Sequence, residues 1–368
     1  MQPRIATEDV LGAVFSMFLA RLGSLNSLEQ ISRNPAWRRI MGQEPPSADT
    51  IGRVVERMDS DSLRLANQKL FSSMRRMKAL EVNAHGLVGL LIDGHESSCS
   101  EKKKCDQCCQ RKTKDGGVQY YHKNVTGQFL FKNFCFFVDA EPILPGEGEL
   151  TAAKRLYERI VKNYPRAFDV VVADALYGNI PFMEMALSSG KDFLTVLKSN
   201  AGDVFKQSIL ILDQEAKEIV TEANGIRREI CETDEVAFGV SKPVRVIRSI
   251  ERQVKSPDSE PSTWIWATSL HPVKAGAKAV VELGHDRWKI ENLGFNESVN
   301  RWHSDHVYKH SGSAILNFWL ICMMAYNLFM CFYYRNLKPS ARSRCSMLHV
   351  SRAILSVFYS SPPSVQPP

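Results

Sequence analysis

Residues 90–96 read LLIDGHE and residues 170–179 read VVVADALYGN, and in both an apolar run closes on an aspartate, Asp93 and Asp174. Leu87 to Ile92 and Val170 to Ala173 carry no charge, as strands buried on both faces do, so each acid is expected at a strand end. A third acid, Glu291, stands in RWKIENLGFN, residues 287–296, within a long stretch of helical spacing. Two strand-end carboxylates and one helical carboxylate make a cage for hard cations. Mg²⁺ takes a few carboxylate oxygens and keeps its other positions for water and phosphate, which suits phosphodiester chemistry with two ions. Any one of these acids alone reads as a turn aspartate or a solvated glutamate. The set gains weight from its neighbours: Gly94, His95 and Glu96 follow Asp93, and Arg287 lies one helical turn before Glu291.

These acids, with Arg287, Trp288 and Ile290 beside Glu291, resemble the DDE transposases of bacterial insertion sequences, in the branch with a β-rich insertion between the second Asp and the Glu. The resemblance runs from about Ser47 to about Leu337. It implies a ribonuclease H-like core and two Mg²⁺ (or Mn²⁺) ions held by Asp93, Asp174 and Glu291. It also implies double-stranded DNA at element ends and target DNA as partners, a homodimer on DNA, and a nucleoid-associated place in a bacterial cytoplasm. The family signature sets a Tyr three positions before the Arg and a Lys seven after the Glu; here Gly284 and Ser298 stand there. Arg287 is then expected on a DNA phosphate, with Arg301 or His303 supplying part of the missing contacts. Trp264, four residues before Thr268 in WIWATS, resembles the tryptophan that receives an unstacked base in that family. Alternation sends Trp264 and Trp266 to one face, where burial in the core is the competing reading.

The spacings are 174 − 93 = 81 and 291 − 174 = 117 residues, and the second is too long for one helix and one strand. An inserted element is therefore expected over 201–263, where Ile226 to Arg252 alternates apolar and charged residues. The fold class is α/β: a ribonuclease H-like core (86–200 and 264–338), a helical amino-terminal module (1–85), the β-rich insertion, and a loosely ordered tail (339–368) rich in Ser and Pro. Strands are expected at Leu87–Asp93, Val118–Val125, Phe129–Val138, Phe168–Asp174, Phe193–Leu197 and Trp264–Leu270. Helices are expected near Leu150–Tyr164 and Pro181–Ser189, and as one run from Val273 to His303. In the module, Thr7, Ser27 with Gln30, and Ser47 read as helix caps. Arg53, Arg57 and Arg64 line its polar side and are candidates to face phosphate.

The chain has 47 basic and 40 acidic residues, a formal charge of +7, which favours a polyanionic partner without naming one. Its 44% hydrophobic content is that of a globular protein. Glu8 and Asp9 near the amino terminus argue against a leader peptide, so the nine cysteines are expected as thiols or ligands inside a cell. Ala314 to Tyr334 is apolar enough to be taken for a membrane span, but Asn317 and Asn327 interrupt it, so a buried core helix is expected.

Cys99, Cys105, Cys108 and Cys109 crowd a lysine-rich loop after the first strand, and with His95 or His122 they are a candidate structural zinc set. The second CxxC of a full knuckle is missing. His303, His306 and His310 share a face if a helix continues through them. Two other readings stay open on residues alone: a catalytically silent DNA-binding descendant, and a zinc-organised or membrane-associated scaffold.

Overall fold

The computed structural model describes residues 6–42, 46–199, 203–215, 217–233, 236–256 and 259–359, with backbone only for Ser98, Cys99, Val204, Glu215, Lys217 and Glu218. It opens with α1 (Thr7–Leu19), α2 (Leu25–Ser32), α3 (Pro35–Met41), α4 (Ala48–Arg57) and α5 (Ser60–Arg76). Two caps fall earlier than the sequence suggests. Ala6, not Thr7, is the N-cap of α1, its N–H donating to Asp9 Oδ2 at 3.3 Å. Ser24, not Ser27, caps α2, accepting the Ser27 N–H at 3.0 Å, because Gly23 takes a φ of 70° and turns the chain just before it. Ser47 does cap α4, accepting the Thr50 N–H at 3.4 Å.

The core follows as β1 (Gly89–Ser100), β2 (Cys109–Lys112), β3 (Val118–Leu130), β4 (Cys135–Ile143), α6 (Glu149–Asn163), β5 (Val170–Ala173), α7 (Ile180–Ser188) and β6 (Asp192–Val196). β4, β3 and β1 form an antiparallel meander, while β5 pairs parallel to β1 and β6 parallel to β5. That order, β4-β3-β1-β5-β6, is the ribonuclease H-like arrangement. The inserted elements are α8 (Asp203–Glu215), β7 (Lys217–Ala223), β8 (Ile226–Glu232) and β9 (Arg245–Gln253), and the chain returns to the core in β10 (Ser262–Thr268). β10 lies antiparallel to β6 on one side and to β9 on the other, so the insertion prolongs the core sheet, ten-stranded among the described residues, instead of forming a separate lobe.

Two strand boundaries differ from expectation. β1 does not end at Asp93 but runs on to Ser100, because β3 continues to pair with it after β5 has stopped. β3 is one strand through Gly127; the register with β4 slips just beyond it, where β4 and not the glycine carries the extra residue, Val138. A Cβ on Gly127 would come within 2.6 Å of Ile160 Cδ1, so its absence lets α6 lie close on the sheet. The chain reverses later, where the Phe131 N–H donates to the Phe134 carbonyl.

After β10 come α9 (Ala277–Asp286), a π-helical turn (Ile290–Phe295) and α10 (Asn296–Trp302), not one helix from Val273 to His303. Then α11 (Gly312–Cys331) runs into a second π-helical turn (Phe332–Asn336), followed by α12 (Pro339–Arg342) and α13 (Met347–Val357). The segment expected to be a loose tail thus folds as far as Phe358, whose ring meets Trp37 at 4.9 Å; residues 360–368 lie outside the described ones.

Gly312–Asn336 is long and apolar enough to cross a membrane by length and composition, yet 78% of its most apolar window is buried inside the protein. α11 packs on α1, α4, α5 and β4, so the amino-terminal helices and the sheet share one core through it. Its two asparagines make the joints. Asn317 Nδ2 donates to the Val55 and Met58 carbonyls, both at 2.8 Å, and its Oδ1 accepts from Ser60 Oγ at 2.7 Å. Asn327 Oδ1 accepts the Phe137 N–H at 2.9 Å, and its Nδ2 donates to the Phe137 carbonyl at 2.8 Å and to Asn67 Oδ1 at 3.1 Å. Burying these amides is tolerable only because each finds partners on the edge strand or the helix ends. Asn327→Leu is expected to cost about 2–4 kcal/mol, because it strands Asn67 and the Phe137 N–H in the core. Leu328→Ala, at a position 43% exposed, should stay within about 1 kcal/mol. Urea unfolding of the two variants compares them directly, and equal losses would remove Asn327 from this role.

Candidate active site

β1 and β5 pair at only three positions, Gly89 with Val170, Leu90 with Val171 and Leu91 with Val172, an offset of 81 each time. The same offset relates Asp93 to Asp174. Side chains at level positions of parallel neighbours leave on the same face, so the pairing brings the two acids side by side where β5 ends. Asp93 stays in the sheet opposite Thr126 of β3, while Asp174 departs, its Oδ1 accepting the Leu176 N–H at 2.8 Å. The strands separate there, at the carboxyl end of the parallel pair, where open α/β sheets form their crevices.

Glu291 stands in the π-helical turn, a local widening that often marks functional sites. Gly294 lets this turn press on β3: any side chain there would fall on the buried Gln128 amide. Arg287 is the bridge. Its Nη1 lies 3.6 Å from Asp93 Oδ2 and 3.5 Å from Glu291 Oε1, and its guanidinium carbon sits 4.5 Å from the Trp288 ring centroid. Arg287 is buried, and its Nε has no hydrogen-bond partner among the described residues. Asp286, the other acid within its reach by sequence, pairs instead with Lys289 at 2.8 Å.

Burial raises the Asp93 carboxyl to about 7, with the charges of Asp174 and Glu149 pushing the same way against Arg287 and the Gly94 N–H. Glu149 is a fourth acid that sequence reasoning missed. It opens α6, and its carboxylate occupies the place a side chain on Gly94 would take. The Tyr177 hydroxyl donates to Glu149 Oε1 at 2.9 Å, and burial, then the Glu149 charge, holds that phenol well above its usual range. The signal lay in the pairing of a glycine directly after Asp93 with a glutamate at the head of the next core helix.

The two departures from the signature point inward. A Cβ on Gly284 would stand 2.7 Å from Trp266 Cε2, so the indole fills the space above this position, and Trp266 is fully buried. Ser298 is buried, its Oγ donating to the Phe295 carbonyl at 3.0 Å. Trp264 is half-buried, stacked on Trp266 with centroids 6.2 Å apart and edge-on to Trp288. Arg301 is exposed. His303, by contrast, ends α10 in the left-handed region (φ 54°), and its ring lies against Gly23 of the amino-terminal helices. The helix therefore does not carry His303, His306 and His310 on one face. Arg53 and Arg57 are exposed, but Arg64 is tied to Asp139 at 2.9 Å and to Asp61 at 2.8 Å, which removes it from the phosphate-facing set.

Among the described residues, the group whose metal-ligating atoms all lie within 4.8 Å of one another is Cys105, Cys108, His122 and His310; the carboxylates spread around Arg287 instead. Cys109 lies outside that group, its thiol donating to the Ile143 carbonyl at 3.6 Å. His95 is outside it too, stacked between Phe295 (4.6 Å) and Trp319 (5.3 Å). The Cys99 side chain lies outside the described residues.

Residues 86–328 match the family described as Transposase DDE domain. That is well over half of the chain, and the protein belongs to this family. No curated protein matches the chain.

With divalent ions chelated, the raised Asp93 carboxyl gives a signed prediction. Its stabilising contribution is complete below the ordinary carboxylate range and is lost as pH rises through about 7. Between those limits the loss runs at about 1.4 kcal/mol per pH unit. Asp93→Asn has nothing to lose, so its thermal midpoint should overtake that of the parent as pH climbs from 4 to 8; parallel curves would refute the assignment. Gly284→Ala is expected to cost about 1–3 kcal/mol by overpacking, and much less in a Trp266→Phe background. An additive double-mutant cycle would show that Trp266 is not what excludes a side chain at 284.

Proposed function

We propose that this protein is a working transposase that cuts DNA at the ends of its element and joins the freed 3′ ends to target DNA. Asp93, Asp174 and Glu291 would hold two divalent cations, Mg²⁺ or Mn²⁺. The observation that carries the reading is the level placing of Asp93 and Asp174 at the end of the β1–β5 pair, with Glu291 tied to Asp93 through Arg287. The donors are carboxylate oxygens, the right chemistry for hard cations. An Asp93 that holds a proton near pH 7 marks a place short of positive charge, which a divalent ion fills more fully than a proton does. Such ions supply activation of water or a 3′-hydroxyl and offset charge on the leaving oxygen.

The chain's own residues do the rest. Arg287 holds Asp93 and Glu291 together as a counter-charge; once the carboxylates are engaged by cations, its planar fork is free for a phosphate oxygen beside the reacting one. Glu149 holds Tyr177 in place and keeps the floor of the site negative. Exposed Arg301, with Lys102, Lys103, Lys104, Lys112 and Lys114 on β2 and the loops around it, supplies backbone attraction for double-stranded DNA. Trp264, already seated on Trp266, offers a face to an unstacked base. His303 drops out of this set because its ring is committed to Gly23. Two copies on paired element ends complete the reading.

The silent-descendant reading draws support from Gly284 and Ser298, which place no aromatic or basic side chain where the signature has them. One assay decides between the two. Asp93→Ala and Asp174→Ala are each expected to abolish Mn²⁺-dependent nicking of element-end DNA, about 10³-fold or more, while end affinity changes only a few-fold. A parent protein that binds ends but never nicks would favour the silent reading, and nicking retained in either variant would refute the carboxylate assignment. Arg287→Lys should lower strand transfer at least tenfold more than it lowers nonspecific DNA affinity, because the charge stays and the fork is lost. A loss that follows the thermal midpoint would reduce Arg287 to a packing role.

A further inference from the structure

We propose that Cys105, Cys108, His122 and His310 bind one structural zinc ion, which clasps the connection between β1 and β3 to the segment that follows α10. The inference stands on its own geometry and does not depend on the carboxylates being catalytic. The four donors come from three places: the turn before β2, the middle of β3, and the loop before α11. Cys105 Sγ lies 3.6 Å from Cys108 Sγ and 3.5 Å from His122 Nε2, and Cys108 Sγ lies 3.3 Å from His122 Nε2 and 3.4 Å from His310 Nε2. In a tetrahedral site with metal–donor lengths of 2.0–2.3 Å the ligand atoms stand roughly 3.3–3.8 Å apart, so every one of these separations is already a tetrahedral edge.

The chemistry agrees with the spacing. Two thiols and two imidazoles are the borderline-soft donor set that suits zinc and not the hard ions of the carboxylate site. Four protein ligands leave no open position, which makes the site structural. The Cys105 N–H donates to Cys108 Sγ at 3.2 Å, and the Cys108 N–H closes the turn on the Cys105 carbonyl at 3.3 Å. A backbone donor aimed at sulfur is the kind of outer contact that orients a metal ligand. Cys108 and His122 are almost wholly buried, and Gln107, between the two cysteines, lays its amide over Gly312, where no side chain is present to displace it. The turn is thus docked on the loop that carries His310, 202 residues from Cys108.

The clasp has a structural consequence. His122 pairs across from Ser97 on β1, the strand that bears Asp93, and His310 lies downstream of the π-helical turn that bears Glu291. A bound ion therefore fixes two arms of the acidic site relative to each other, through the backbone and without touching the acids. The basic residues Lys102, Lys103 and Lys104 precede the turn and are held in place with it.

The test uses the full chain, with Zn²⁺ and Co²⁺ as probes. Protein purified without chelator is expected to carry about one zinc per chain, and Co²⁺ exchanged into it should give the intense visible bands and sulfur charge-transfer band of a tetrahedral two-thiolate site. Cys108→Ser and His310→Ala should each fall below about a tenth of that zinc content, while Cys109→Ser, one residue away, keeps it. A variant that fails to fold does not blunt the test, because mercurial release of the metal from the parent, followed by Co²⁺ titration, reports the site directly. Parent protein that is zinc-free and gives an octahedral or featureless Co²⁺ spectrum overturns the proposal, as does a Cys105–Cys108 disulfide. Loss of zinc from folded Cys109→Ser overturns the ligand set. None of these readouts depends on nicking, so a failed carboxylate assignment and a failed zinc site are told apart.

Discussion

Three pairs of residues in parallel register, from Gly89 opposite Val170 to Leu91 opposite Val172, set the geometry on which the rest of this protein depends. Parallel pairing keeps a constant offset, so the placement of Asp93 beside Asp174 follows from the backbone ladder and needs no contact between the acids themselves. The pairing is short, and its end is what opens the site. β1 can continue because β3 still holds its other edge; β5 cannot, and the chain leaves at Asp174. A longer β5 would have closed the crevice.

Placing two acids level at a buried strand end carries an electrostatic cost, and Arg287 meets part of it. The guanidinium lies between Asp93 and Glu291 at about equal distances, and burial still leaves Asp93 prone to protonation. The site therefore folds with one cation from its own chain and room for more charge. That arrangement lets the protein fold with its acids only partly offset, and groups poised this way would gain from a divalent ion.

The acids, the core strands and the inserted antiparallel strands were legible because each writes a local signal: an apolar run closing on Asp, or alternation along a ribbon. What could not be read belongs to tertiary context. Gly127 looked like a break and is a continuous strand position with Ile160 close above it. The stretch from Val273 to His303 keeps helical spacing yet is cut by a π-helical turn, which costs no residue in the apolar pattern and so leaves none to see. Glu149 was missed because its role depends on the empty face of Gly94, and the nearness of His310 to the cysteines because Cys108 lies 202 residues away. Asn317 and Asn327 were legible in the opposite sense: two amides in an apolar run ruled against a lipid-facing span, and each meets a backbone partner.

The departures at 284 and 298 carry a lesson about substituted signatures. Gly284 is not an erased tyrosine standing over empty space; Trp266 from β10 occupies the volume, and Trp264 stacks on Trp266 toward the surface. The aromatic group near Glu291 thus draws on both β10 and Trp288. Trp264, Trp266 and Trp288 lie in one stacked and edge-on group beside Arg287, with His285 wedged against the first two. His285 is in turn held by Glu251 of the insertion at 2.7 Å, and Arg228 of β8 grips the same carboxylate at 3.0 Å. The inserted strands thereby brace the helix that leads into Arg287 and Glu291. Position 284 has no side chain of its own, and the space above it belongs to the Trp266 indole, which carries Trp264 in turn.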